Sequence, residues 1–286
     1  MTVLTRALKL EARPLLKWAG GKTQMLAQYE PYLPTTFNAY HELFLGGGAM
    51  FFYLHSLGRL KQSYLSDFNL ELIQTYWAVR DIPEAVIKQL QEHKAKHFSD
   101  YYYWIRDLDR QPDQPLELAA LAARMIYLNK TCFNGLYRLN SKGFFNVPIG
   151  KYKNPSICDS ENLLKVSAAF GSAGVALIHG AYTEVSTRAR TGDFVYFDPP
   201  YFVEQGTHAF DKYTATGFTF EDHQNLAALV ADLTAKGVQV MVSNSNYPFI
   251  QDLYSAFKIV EVKGKRHINS KAEKRGEISE LLILNY

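Results

Sequence analysis

Residues 40–67 constrain the fold more than any other stretch. YHELFL (40–45) has the apolar character of a short buried strand and runs straight into Gly46-Gly47-Gly48. AMFFYLHSL (49–57) follows with the length of a helix, and SYLS (63–66) reads as a second strand ending on Asp67. Strand, glycines, helix, strand and acid make the layout of a nucleotide-binding α/β crossover. The glycines do not complete the dinucleotide pattern G-x-G-x-x-G, because its third glycine would fall at Phe51. That disfavours a pyrophosphate cofactor and favours an adenosine-type ligand without phosphates. Asp67 stands about 20 residues beyond the turn, where an acid can accept ribose hydroxyls. Adenosine and ribose without pyrophosphate point to S-adenosylmethionine.

The rest of the chain continues the alternation around one interruption. A helical, aromatic-rich stretch runs from residue 70 to 130, broken by Pro83 and by QPDQP (111–115), and residues 131–158 read as irregular. Strand character returns at GVALIHG (174–180) and DFVYFD (193–198). FEDHQNLAALVADLTAKG (220–237) has acids early, Lys236 late and a terminal Gly237, the marks of a helix. VQVMVSN (238–244) is a parallel-type strand, and FKIVEVKG (257–264) with SELLILNY (279–286) predicts a hairpin. The pattern is that of an α/β sheet with a helical insertion.

Asp198-Pro199-Pro200-Tyr201 follows the strand FVYF directly. Ligands of an open parallel sheet bind outside the carboxyl ends of its strands, so this tetrapeptide is placed to meet one. Two prolines fix the backbone and remove two N–H donors, leaving carbonyl oxygens and a carboxylate beside the flat ring of Tyr201. Such a site suits a planar molecule with an exocyclic amino group: acceptors grip the two hydrogens while the ring stacks.

The net charge of +3 understates how the charge is distributed. Between Glu117 and Asp159 there is no acid, while Arg124, Lys130, Arg138, Lys142, Lys151 and Lys153 fall in that window among tyrosines and phenylalanines. A second basic cluster, KGKRHINSKAEKR, covers 263–275. Two such clusters favour a polyanionic partner. A content of 47% hydrophobic and 21% charged residues suits a soluble globular protein, and 286 residues suffice for one large domain with an insertion. No apolar run approaches a membrane span, and the first residues lack a signal-peptide pattern. Cys132 and Cys158 have no metal-type spacing, the histidines are scattered, and no metal site is expected. A cytoplasmic setting is the expectation. KWAGGKT (17–23) suggests a phosphate loop, but Leu16 stands where that loop needs glycine.

KWAGGK (17–22), ELFLGGGAMF (42–51), SDFN (66–69) and DPPY (198–201), in this order, resemble the Dam-type (alpha-group) DNA adenine-N6 methyltransferases. YLNKTCFNGLYRLNSKGFFNVPIGKYKNP (127–155) resembles that family's target-recognition region, and the resemblance runs from residue 15 to the last strand. It implies a Rossmann-like, S-adenosylmethionine-dependent methyltransferase fold with a helical recognition insertion and a C-terminal β-hairpin. The catalytic part would be 1–69 with 161–286, and the recognition part 70–160.

By the same resemblance, Asp198, Pro199, Pro200 and Tyr201 are catalytic. Trp18, Ala19, Gly20, Lys22, Phe44, Gly46, Gly48, Asp67, Tyr182 and Asp198 form the cofactor pocket, with Tyr182 over the cofactor adenine. Lys17 contacts a base. Phe133, Asn134, Leu136 and Arg138 match the hairpin that enters DNA, and Lys130, Asn140, Asn146 and Lys151 match backbone or flanking contacts. The implied substrate is double-stranded DNA at GATC, methylated at a flipped adenine by a monomer without an obligate protein partner. Leu43 and Gly47 depart from the family pattern, as do Lys130 and Lys151, where arginine is frequent. Rival readings are the same chemistry at another DNA site or on RNA, methylation of a protein amide (against which Asp198 argues), and a silent DNA-binding protein.

Overall fold

The computed structural model describes residues 11–111, 113, 115–202, 218–265 and 277–286. Its centre is a seven-stranded sheet: β1 (Tyr40–Glu42), β2 (Ser63–Asp67), β3 (Val175–His179), β4 (Phe194–Phe197), β5 (Gln239–Ser245), β6 (Lys258–Lys265) and β7 (Glu277–Leu284). The order is β3-β2-β1-β4-β5-β7-β6, parallel from β3 to β5, with β7 antiparallel to both β5 and β6. The chain leaves β1 toward β2 and β3, then returns to β4 on the other side. A crevice therefore opens between the carboxyl ends of β1 and β4, the usual ligand position in such sheets.

The helices are α1 (Leu26–Tyr29), α2 (Ala49–Ser56), α3 (Leu70–Asp81), α4 (Pro83–Ala95), α5 (Ser99–Asp107), α6 (Leu118–Thr131), α7 (Ser160–Phe170), α8 (Val185–Arg188), α9 (Phe220–Ala235) and α10 (Pro248–Leu253). Local chemistry sets several boundaries. Asn69 caps α3 by accepting from the Leu72 N–H. Pro83 occupies the first turn of α4, where its missing donor costs nothing, so it separates α3 from α4. A reciprocal Thr219–Asp222 capping box opens α9.

Strand β4 shows why the sheet needs both layers. All four of its residues are buried, and they alternate: Phe194 and Tyr196 join the core shared with α2, α3, α6 and α7, while Val195 and Phe197 join the core under α9. Helix α2 is buried from Ala49 to Leu54, the pattern of a helix enclosed on all sides. Helix α6 packs against α3, α4 and α5 and is almost wholly buried from Ala122 to Asn129. Residues 133–159 then run without helix or strand beyond one short 3-10 turn at 133–135 and the bridges Cys132–Ile149 and Leu139–Phe145.

Two expectations are corrected. The first strand is only Tyr40–Glu42 rather than 40–45, because Leu43–Leu45 already turn toward the glycines. Arg124 does not contribute to a basic surface. It is 3% exposed, and its guanidinium meets Glu71 at 3.0 Å and Asp109 at 2.8 Å. The second basic cluster lies almost entirely outside the described residues, as do Pro112 and Gln114 of the QPDQP turn.

Candidate active site

Three segments converge at the crevice. The first is the glycine turn after β1. Gly46 has φ +46°, and a Cβ there would meet Cδ1 of Trp18 at 2.6 Å, so only glycine lets the indole lie against the turn. The Gly46 N–H donates to Oδ2 of Asp67 (2.9 Å), while Oδ1 accepts from the Asn69 N–H (2.9 Å). Asp67 thus ends β2 beside the turn. Burial raises its pKa and the two backbone donors work against that rise.

The second is Asp198-Pro199-Pro200-Tyr201 after β4. Oδ1 of Asp198 accepts from the Ser243 hydroxyl of β5 at 2.7 Å and lies 2.8 Å from Nζ of Lys22. Among the described residues no side chain hydrogen-bonds Oδ2. The Lys22 ammonium also donates to the Gly20 carbonyl and sits 4.6 Å from the centroid of the Tyr201 ring. Lys22 is buried although Gly20, Gly21 and Thr23 beside it are exposed. The KWAGGK loop therefore lowers one cation into the site and leaves its backbone outside.

The third is an aromatic wall. Phe44 and Tyr182 stack at 5.4 Å with 25° between planes, and Phe218 meets Phe44 edge-on at 5.8 Å. Two carboxylates and an aromatic wall suit a ligand that combines a flat ring, hydroxyl groups and a positive charge, as S-adenosylmethionine does. The residues present fit the donor. Among the described residues no cluster could hold a metal ion.

Glu42 lies beneath these groups at the end of β1. It is 3% exposed and accepts from the Tyr40 hydroxyl at 2.9 Å. Burial, reinforced by the charges of Asp198 and Asp67, pushes its carboxyl up to about 8, with the Tyr40 bond opposing.

The stretch 127–155 is joined to the same loop. Asn129 of α6 accepts from the Lys17 N–H (2.8 Å) and donates to the Lys17 carbonyl (2.8 Å) and to the Gly135 carbonyl (3.0 Å). Gly135 has φ +66°, and a Cβ there would strike Lys17 Cδ at 2.7 Å. Tyr137 stacks on Trp18 at 5.3 Å and donates to Oε2 of Glu71 (2.8 Å), whose other oxygen pairs with Arg124. Lys17, Phe133, Arg138 and Lys151 are exposed, and Phe133 is 45% exposed beside Asn134, which has φ +56°. Nε of Arg138 donates to the Asn146 amide oxygen at 2.7 Å. Asn140 accepts from the Lys142 and Phe144 N–H groups at 2.9 and 3.1 Å. Both asparagine oxygens are therefore engaged within the stretch. Lys130 is half-buried, and burial, followed by repulsion from Lys17, lowers its pKa.

The structure thus brings together Trp18, Lys22, Phe44, Gly46, Asp67, Tyr182, Asp198 and Tyr201 at one crevice. Sequence reading missed Ser243, Phe218, Asn129 and Glu71. Asn129 and Arg124 did carry a signal, as polar residues inside the apolar helical run LAALAARMIYLNK.

Comparison with known proteins gives a consistent result. A family model described as D12 class N6 adenine-specific DNA methyltransferase matches residues 18–268. The chain is 40% identical over 280 residues to the type II methyltransferase M1.LlaDCHI of Lactococcus lactis subsp. cremoris, covering 97% of each. It is 40% identical over 291 residues to the type II methyltransferase M.MjaIII of Methanocaldococcus jannaschii, covering 97% of this chain and 100% of that one. The DNA adenine methylase of Serratia marcescens is 32% identical over 276 residues, covering 95% of this chain and 98% of its own.

Proposed function

The chain belongs to the D12 class of N6 adenine-specific DNA methyltransferases, and from this premise we propose that it methylates the adenine of GATC in duplex DNA after flipping that base into the crevice. It is a DNA adenine-N6 methyltransferase whose methyl donor is S-adenosylmethionine. The GATC reading rests on residues 127–155 and their resemblance to the family's recognition region. Residues 1–69 and 161–286 form the catalytic part and 70–160 the recognition part. The enzyme acts as a monomer on each strand in turn, without an obligate protein partner.

When bound, the donor supplies an electrophilic methyl group on a sulfonium. Trp18, Phe44, Asp67 and Tyr182 are the residues that hold it. Ala19, Gly20 and Lys22 of the loop, with Gly46 and Gly48 of the turn, border the same pocket. The exocyclic nitrogen of adenine is a poor nucleophile, because its lone pair is delocalised into the ring. Oδ2 of Asp198 and the Pro199 carbonyl accept hydrogen bonds from its two N–H groups, which favours a pyramidal nitrogen with a directed lone pair. As the nitrogen gains the methyl group, with a neutral thioether released, positive charge builds on nitrogen beside a carboxylate already oriented by Ser243 and Lys22, and the surplus proton then passes to water. Pro200 stiffens the turn, and the Tyr201 ring stacks on the base, offsetting part of the unstacking cost. Phe133 enters the duplex, Lys17, Asn134, Leu136 and Arg138 meet bases, and Lys130, Asn140, Asn146 and Lys151 border the flanking backbone.

The observation that carries this reading is the position of Asp198, fixed at the carboxyl end of β4 within the crevice that holds Asp67 and the glycine turn. The test is methyl transfer to a random-sequence duplex with every modified base mapped. Marks at N6 of adenine confined to GATC are expected. Adenine marks elsewhere would keep the chemistry and overturn the specificity, and transfer to RNA alone would overturn the substrate.

A further inference from the structure

Glu280 lies far from every motif yet touches the catalytic tetrapeptide. Its backbone is held on both sides, opposite Ser245 of β5 and Val262 of β6. Its Oε2 accepts from the Tyr201 hydroxyl at 2.7 Å and, more weakly, from the Tyr29 hydroxyl at 3.4 Å. A phenol donating to a carboxylate makes a charge-assisted bond, stronger than a neutral one. The Tyr201 ring is thereby anchored at its far end. At its near end, the chain just beyond is tied to β5: the Phe202 N–H donates to the Asn244 amide oxygen (3.3 Å), and the Ser245 hydroxyl donates to the Phe202 carbonyl (2.7 Å). A tyrosine fixed at its backbone and its hydroxyl retains little freedom to swing about χ1 or χ2. Burial, with the neighbouring Tyr29, Asp198 and Glu280, raises the phenol pKa well above its usual value, so it stays a donor.

We propose that Glu280 is a positioning residue for methyl transfer, setting the plane of the Tyr201 ring against which the target adenine stacks. The proposal rests on the function proposed above, in which Tyr201 is the stacking face. It gives the C-terminal hairpin a part in base capture, because β7 carries the anchor.

The experiment uses the full chain with S-adenosylmethionine or its unreactive product analogue and a duplex carrying the cognate site. Glu280→Ala, Glu280→Gln, Tyr201→Phe and the Glu280→Ala/Tyr201→Phe double variant are compared for kcat, DNA KM and the fluorescence of 2-aminopurine at the target position. Glu280→Ala is expected to lower kcat about tenfold, to leave DNA KM within about twofold and to alter the fluorescence of the bound 2-aminopurine duplex. Glu280→Gln, whose amide oxygen still accepts, retains most turnover. Tyr201→Phe reproduces the alanine effect, and the double variant is no worse than either single one. Unchanged kcat in Glu280→Ala, or losses that multiply in the double variant, would overturn the proposal. Should Glu280→Ala fail to fold, Tyr201→Phe decides: normal kcat and fluorescence there overturn it equally. A parent enzyme that leaves DNA adenine unmodified would instead overturn the proposed function, before any variant is read.

Discussion

The Lys22 ammonium lies 2.8 Å from Oδ1 of Asp198, joining a loop near the start of the chain to the acid that follows β4. The lysine side chain is 4% exposed and the aspartate 18%. One cation therefore orients the carboxylate and faces the Tyr201 ring.

Removing that cation leaves a half-enclosed negative charge without its partner. Breaking one side of a buried pair costs about 3–5 kcal/mol, and the residual exposure of Asp198 lowers this to about 1–3 kcal/mol. Lys22→Met, which keeps the stem, is expected to lower Tm by several degrees. Adding Asp198→Asn should restore part of the loss, because the orphaned charge is then gone. Thermal melting of both variants decides, and equal melting of parent and Lys22→Met would remove the pair from the stability of the fold.

Asp198→Asn alone keeps an acceptor oxygen and loses the charge. A fall in kcat of about 100-fold or more is expected, the usual scale for removing one preorganised electrostatic group. Donor affinity should change only modestly beside that fall. Single-turnover kinetics with calorimetric titration of S-adenosylmethionine separates the two, and near-normal turnover would sink the assigned role.

On the proposed function, Arg138→Ala should weaken discrimination at one base pair by about 1–3 kcal/mol, the worth of a bidentate contact to guanine. Phe133→Ala removes an exposed aromatic ring and should depress the fluorescence change of 2-aminopurine on binding. Methylation of duplexes with single substitutions in the site distinguishes these roles. A uniform loss for Arg138→Ala across all sequences would make it a phosphate contact instead.

Glu42 gives stability a pH dependence of unusual sign. Its folded-state pKa, near 8, exceeds the ordinary carboxylate value. The folded chain therefore binds the proton more tightly than the unfolded one, and the contribution is complete below the ordinary carboxylate range. It is lost as pH rises toward 8. Glu42→Gln resembles the protonated form at every pH. It should melt about 5 °C above the parent at pH 8.5 and within about 1 °C of it at pH 4. A parallel pH profile for the two proteins would contradict the assignment.

What could be read from the sequence divides by the range of the interactions involved. The glycine turn, Asp67, the capped helix α9, Pro83 as a boundary and the tetrapeptide 198–201 are local patterns, and each took the expected place. Ser243, Glu280 and Asn129 act on partners 45, 79 and 112 residues away. No periodicity or spacing encodes such pairings, which arise only when β5, β7 and α6 pack. Arg124 shows the opposite error: its charge counted toward a basic surface, but the apolar helix around it turns that charge inward to Glu71 and Asp109.

The single amide of Asn129, which holds the Lys17 backbone on one side and the Gly135 carbonyl on the other, has a bearing on how recognition could evolve or be engineered. The two segments that the proposed function sets against bases cannot shift independently, because moving either one breaks a bond to the amide that also locates its neighbour. On the proposed function, a new target sequence would thus be acquired most readily by exchanging Lys17 together with the whole block from 127 to 155. Piecemeal substitution along either segment would work against a shared hinge pin.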